Sequence, residues 1–214
     1  MIDRDTGLAR LGSAITSFDA ARAAVLKATG EVVSAALALD DADAACAAGT
    51  TSAASAARAK ARPAFARGRT ALSALPARLA GYTRSLQALA AAEQAATSLD
   101  PAQRAALDAV TAGGRAEAAA SDAFRVAGKT AWPAYVDLDA AQSTWLDRRL
   151  GGWYRDPQEA AAAYDVLVGD SRPALERART LLQRVDTARR PVSDRERAAV
   201  AAADTALTSL RSPG

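Results

Sequence analysis

The chain contains no histidine, and its single cysteine, Cys46, has nothing to form an internal disulfide with. The first absence removes every Ser-His-Asp or Cys-His nucleophile arrangement, the H-E-x-x-H zinc pattern and the Glu-x-x-His pairs that build di-iron sites in helix bundles. The second removes oxidative stapling and allows a reducing compartment, so the cytoplasm is the expected location. No run approaches the roughly 18 uninterrupted apolar residues of a membrane span. Met1-Ile2-Asp3-Arg4-Asp5 is acidic and polar where a secretory signal is basic and then apolar, which leaves open only export without a cleaved signal peptide. The composition indicates no cofactor and no small-molecule substrate.

Large apolar side chains are scarce as well. Of 107 apolar residues 61 are alanine, and Leu, Ile, Val and Phe together number 37 of 214. Such a share points to disorder when net charge is high, but here it is only +3. Alanine is the best helix former and Leu and Arg follow it closely, while β-branched residues are few, so the chain is expected to be all-α. The 24 Arg against 3 Lys are also what codon drift in a GC-rich genome produces, and this discounts any functional reading of arginine number alone.

The periodicity divides the chain into helices of approximately 8–47, 52–98, 101–150, 157–190 and 194–210. In the first, Leu11, Phe18, Val25, Val32, Leu39 and Cys46 are apolar at every seventh position, while the alternate series Leu8, Ile15, Arg22, Thr29, Ala36, Asp43 turns polar, which predicts a narrow seam. The second carries Phe65, Leu72, Leu75, Leu79, Tyr82, Leu86 and Leu89, with Pro63 and Pro76 expected to kink or divide it. Asp100-Pro101 followed by Gln103 is a start signal, and Asp156-Pro157-Gln158-Glu159 repeats it. The third helix bears Leu107, Val110, Phe124, Ala131, Leu138 and Trp145, with a break candidate at Gly113-Gly114, a kink candidate at Pro133 and an end at Gly151-Gly152. The fourth holds the phase Tyr164, Leu167, Ser171, Ala174, Ala178, Leu181, Val185, Ala188 across Gly169 and Pro173. Pro191 is expected to stop it, and Ser193 with Glu196 to cap a short last helix bearing Val200, Leu207 and Leu210. Ser212-Pro213-Gly214 is expected to fray.

Long elements joined by short turns describe an elongated antiparallel bundle, taken as one domain over 1–214. Segments 1–43, 44–92, 93–170 and 171–214 carry −3, +7, −5 and +4, so sequential helices alternate in sign, as flanking positions of coiled coils do.

Residues 44–92 contain no acid but seven bases, Arg58, Lys60, Arg62, Arg67, Arg69, Arg78 and Arg84. They offer a candidate surface for anionic lipid or nucleic acid. At 100° per residue they flank the apolar seam on both sides, which suits pairing with the acidic helices better than one broad docking face. Ala127-Gly128-Lys129-Thr130 ends like a phosphate-binding loop, yet Ala123 stands where that motif needs glycine, and the surroundings are helical. Asp137 and Asp139 point about 200° apart on a helix and cannot share an ion; Asp40 and Asp43 can, but no third ligand is near in sequence. Cys46 lies in the apolar series and reads as a small core side chain.

Trp132, Tyr135, Trp145, Trp153 and Tyr154 place five of the ten aromatic residues within 23 positions. Bulky rings fill space that alanine cannot, so core or corner packing is their favoured role; as the alternative they are the candidate partner-binding residues, since buried rings at an interface carry most of its energy. Tyr135 and Asp139 have a Tyr-x-x-x-acid spacing that resembles the export tag of type VII secretion substrates, which are helical hairpins; the Trp-x-Gly turn of that family is absent. That resemblance implies an exported helical effector. The residues themselves favour a non-enzymatic bundle acting as scaffold or adaptor through protein–protein association or self-assembly, with the anion-surface binder as the alternative.

Overall fold

In the computed structural model, which describes residues 4–96 and 99–211, the chain forms five α-helices and no strand among the described residues. They are α1 (Arg4–Ala47), α2 (Thr51–Ala95), α3 (Pro101–Leu150), α4 (Pro157–Val168) and α5 (Arg172–Arg211). The first three pack against one another and α3 also packs with α5, giving the all-α bundle that the periodicity predicts. Thr97 and Ser98, where the second helix was expected to end, and Ser212-Pro213-Gly214 lie outside the described residues, as do the side chains of Leu8 and Leu210.

Two compact units form. One comprises α1 up to Lys27, Leu75–Phe124 and α5 from Asp186; the other comprises Ala28–Ala74 and Arg125–Val185. In the first, Leu11 and Phe18 of α1 are buried with Tyr82 and Leu89 of α2, Leu107 and Phe124 of α3, and Ala203 of α5. In the second, Val32 and Leu39 are buried with Phe65, Leu138, Trp145, Tyr164 and Leu182. The whole apolar heptad series of α1, Leu11 to Cys46, is at most 2% exposed. The seam is nevertheless wider than expected: Arg22, Thr29 and Asp43 of the alternate series are buried too, because each faces the interior rather than water.

Both acidic start signals act as caps. Asp100 N–H donates to Gln103 Oε1 and Gln103 N–H to Asp100 Oδ1, both at 2.9 Å, a reciprocal capping box. Asp156 Oδ1 accepts from the backbone N–H groups of Gln158 and Glu159 at 2.8 Å, with Pro157 at the first helical position.

The proline readings need correction. Pro63, Pro76 and Pro133 are exposed and leave α2 and α3 unbroken, since the carbonyl each fails to satisfy can be hydrated on the outer face. The expected 157–190 helix is instead two, parted at Gly169–Ser171. There Ser171 N–H donates to the Val168 carbonyl at 3.0 Å and Arg172 N–H to that of Gly169 at 3.4 Å, and Pro173 stands in the first turn of α5, where its missing N–H costs nothing. Conversely Pro191, expected to be a stop, lies exposed inside α5. The buried positions Leu175, Ala178, Leu182, Asp186, Arg189, Ser193, Glu196, Val200, Ala203 and Leu207 hold steps of three and four straight through it. That seam is rotated by one residue from the expected Ala174–Leu181–Ala188 phase, and Ser193 and Glu196 are core residues of a continuous helix rather than a capping box.

Gly113-Gly114 does not break α3 either. A Cβ on Gly114 would lie 2.8 Å from Leu86 Cδ1 and 3.1 Å from Phe18 Cζ, so the missing side chain is what admits those two. Gly68 of α2 has the same role against Ala35 Cβ, 2.5 Å from where its own Cβ would be, whereas Gly30 has open space. Gly68→Ala is therefore expected to destabilise the protein by about 1–2 kcal/mol by overpacking, and Gly30→Ala to stabilise it by up to about 1 kcal/mol through helix propensity. Chemical denaturation of both variants checks the opposite signs.

Candidate interaction surface

The aromatic stretch divides into a buried set and an exposed tip, all within the second unit. Trp132 stacks on Phe65, centroids 5.0 Å apart and planes 10° from parallel, and lies tilted by 40° to Tyr135 with centroids 6.3 Å apart. Tyr135 is buried, and burial together with nearby Asp40 pushes its phenol up, keeping it neutral. Trp145 has no exposed surface; its Nε1–H donates to the Ala160 carbonyl at 2.7 Å and its ring meets Tyr164 edge-on at 5.8 Å. Trp132, Tyr135 and Trp145 are thus core, not contact surface, because Ala-lined helices leave room that only rings of this size fill.

The exposed tip arises from the end of α3. Trp153 N–H donates to the Arg148 carbonyl and Gly152 N–H to that of Arg149, with Gly152 at φ +76°, a left-handed value that suits glycine. This is a Schellman ending, and it throws the residue after the glycine back along the last turn. Trp153 lies there, 71% exposed, with the Arg148 guanidinium 5.7 Å over its ring, and Leu150, three residues earlier in the chain, is 66% exposed. Tyr154 is half-buried, and its carbonyl accepts from Arg149 at 2.6 Å. Gly49 of the α1–α2 turn approaches so closely that any side chain there would strike the Pro157 carbonyl, which ties that turn to the start of α4.

Behind the tip the second unit holds two polar networks that join its helices. Asp43 accepts from Tyr164 Oη at 2.7 Å and from Arg179 at 2.8 Å, and Arg179 Nε donates to Asp40 at 2.7 Å. The two acids close enough to share an ion share a guanidinium instead. Burial raises Asp40, the Arg179 contacts opposing it, and the same cause pushes the Cys46 thiol up to about 12, leaving it unreactive. Among the described residues no group of three or more His, Cys, Asp or Glu side chains is placed to hold a metal. In the second network Arg58 donates to Asp139 and Ser143 at 2.5 Å and to Gln142 at 3.2 Å, while Gln142 reaches the Leu39 carbonyl at 2.8 Å. Tyr135 and Asp139, the pair with export-tag spacing, are accordingly both engaged inside the unit.

Of the seven bases, Arg58 alone pairs with an acidic helix. Arg78 donates to the Ala24 carbonyl at 2.9 Å in the first unit. Lys60, Arg62, Arg67, Arg69 and Arg84 are exposed, and none makes an ion pair with a described residue, so pairing across the flanks is narrower than the charge pattern suggests. Lys129 is also exposed, in mid-helix, with no phosphate-cradling turn before it. What the sequence reading misses is that Arg22, Asp43 and Arg179 join helices through buried or half-buried contacts. Heptad spacing places the first two on the seam, a signal that polarity masks.

No known protein family, curated protein or solved structure matches the chain.

Trp132→Ala and Trp145→Ala are expected to cost about 3–5 kcal/mol of stability, and Trp153→Ala less than about 0.5 kcal/mol. Arg58→Ala, which strips a buried network, is expected to cost about 2–3 kcal/mol, against less than about 0.5 kcal/mol for Arg69→Ala. Urea titration of the four variants checks the split.

Proposed function

We propose that the protein is a non-enzymatic helical-bundle scaffold or adaptor that works by association, and that its contact residues are Trp153, Leu150 and Tyr154 at the α3–α4 loop. One observation carries the reading: Trp153, alone among the three described tryptophans, lies outside the core, on a turn fixed by the Schellman ending, and Leu150 at the end of the same helix is exposed too. A ring presented on a fixed turn loses little entropy on docking and offers a large apolar contact. Self-association is the simplest form of this.

The native mass by light scattering, at low and at high salt, tests it. Wild type is expected at a multiple of 21.9 kDa in both, and Trp153→Ala combined with Leu150→Ser is expected to shift toward monomer with an unchanged melting temperature. A wild-type monomer at both salts sinks self-assembly, and an unaltered oligomer in the double variant moves the interface elsewhere.

The second reading, a peripheral binder of anionic lipid or nucleic acid, draws on the exposed bases Lys60, Arg62, Arg67 and Arg69. It requires co-sedimentation with anionic vesicles, or DNA retention, that weakens steeply between about 50 and 200 mM salt.

A further inference from the structure

The seam of α5 in the first unit carries four polar residues in succession, Asp186, Arg189, Ser193 and Glu196, all buried. Three of them are bonded. Asp186 accepts from Arg189 at 2.9 Å, Ser193 Oγ donates to Glu117 at 2.6 Å, and Arg22 of α1 donates to Glu117 and to the Ser193 carbonyl, each at 2.8 Å. Glu196 differs: it is 0% exposed, and neither carboxylate oxygen has a hydrogen-bond partner. It faces Gly113 of α3, where any Cβ would strike Glu196 Oε2, so the carboxyl fills the notch that the glycine leaves.

An ionised carboxylate enclosed without donors is among the most costly groups a core can hold. The neighbours do not relieve it. Glu117 of α3 adds a like charge, and Arg22 is committed to Glu117, to Ser193 and, at 3.5 Å, to Asp19. Tyr82 of α2 gives its hydroxyl proton to the Gly114 carbonyl, burial and the two glutamates holding it neutral. On α5 itself, Arg189 is paired with Asp186, and Arg195 turns its Nε to the Pro191 carbonyl. With Glu196 ionised, one arginine faces two carboxylates, an excess of one negative charge.

A cleft of about 390 Å³ lies between α3 and α5, lined by Ala109, Gly113, Ala116, Val192, Glu196 and Arg195, the last with its Nε on the Pro191 carbonyl. The carboxylate oxygens themselves have less than 1 Å² of accessible surface, so a hydrated cation or an amine in the cleft does not reach them while α5 is seated. A proton is the counter-charge that the enclosure admits. We propose that Glu196 is a proton-binding latch in the first unit: protonated, it lets α5 close on α3 at Gly113, and its ionisation loosens that contact.

Burial first, and then repulsion by Glu117, raise the Glu196 carboxyl from 4.5 to about 7, with Arg22 opposing. The folded state therefore holds a proton that the unfolded chain releases. The latch's contribution is whole below about pH 4.5, declines as pH rises through about 7, and is absent above. Buried Glu93 is also held up, but it acts equally in a variant that changes only Glu196.

The test is unfolding of the full chain, wild type and Glu196→Gln, by urea at pH 5, 6, 7 and 8, with hydrogen exchange of α5 amides corrected for intrinsic rate. From pH 5 to 8 the wild-type unfolding constant is expected to rise roughly tenfold to a hundredfold relative to that of the variant, and α5 protection beyond Ser193 to fall. Parallel pH profiles of the two proteins overturn the proposal. If the variant does not fold, exchange in a Glu93→Gln background decides: loss of protection on α5 and the facing turns of α3 between pH 5 and 8 supports the latch, and unchanged protection sinks it.

Discussion

Alanine cannot tell one helix register from another. A seam of methyl groups gains about 0.8 kcal/mol per buried CH₂ and offers few shapes that interlock, so helices lined with it can slide and rotate at little cost. Everything specific in this protein answers that constraint. Most of its large rings stand inside, as in Trp132 on Phe65, Trp145 against Tyr164 and Phe18 against Tyr82. Glycines opposite those rings are part of the same solution, since Gly68 and Gly114 supply the hollows into which neighbouring side chains fit.

Buried charge supplies the rest. Arg22 ties α1 to α3 and α5 in the first unit, through Glu117 and Ser193, and Asp43 ties α1 to α4 and α5 in the second, through Tyr164 and Arg179. Such groups are weak sources of net stability, because their desolvation offsets much of the pairing. They do penalise wrong arrangements: a helix slipped by one turn strands an arginine or a carboxylate in the core. In a bundle with so little steric information, that penalty is the natural source of a single register.

The sequence makes the helices and their seams legible wherever apolar periodicity is unmixed. Leu11 to Cys46 is the plainest instance, and the capping residues Asp100 and Asp156 are read as easily because their chemistry is local. Two features are not legible. The first is proline: Pro173 and Pro191 look alike in the string and both are exposed, yet one follows a break at Gly169–Ser171 and stands in the first turn of α5, where a missing N–H costs nothing, while the other lies deep within that continuous helix. The second is polarity on the seam. Asp186, Arg189, Ser193 and Glu196 hide the true phase of α5, so apolar matching settles on the face one residue away, where Leu181 stands beside Leu182. Of the aromatic candidates only Trp153 and Tyr154 remain at the surface, because clustering in sequence does not distinguish filling a core from facing a partner.

Trp153 then stands out against the constraint with which the fold contends. A chain short of large apolar side chains leaves one of its three tryptophans in solvent while methyl groups line its interior. Its position follows from backbone geometry: the left-handed Gly152 sends the chain back over the last turn of α3, and the Arg148 guanidinium covers one face of the ring. An arginine so placed pairs its charge with the ring's π-face while most of the indole stays in contact with water. The same bulk inside would add burial worth about 2–3 kcal/mol. That it stands outside, on a capped and therefore ordered turn, is the observation on which the proposed association rests.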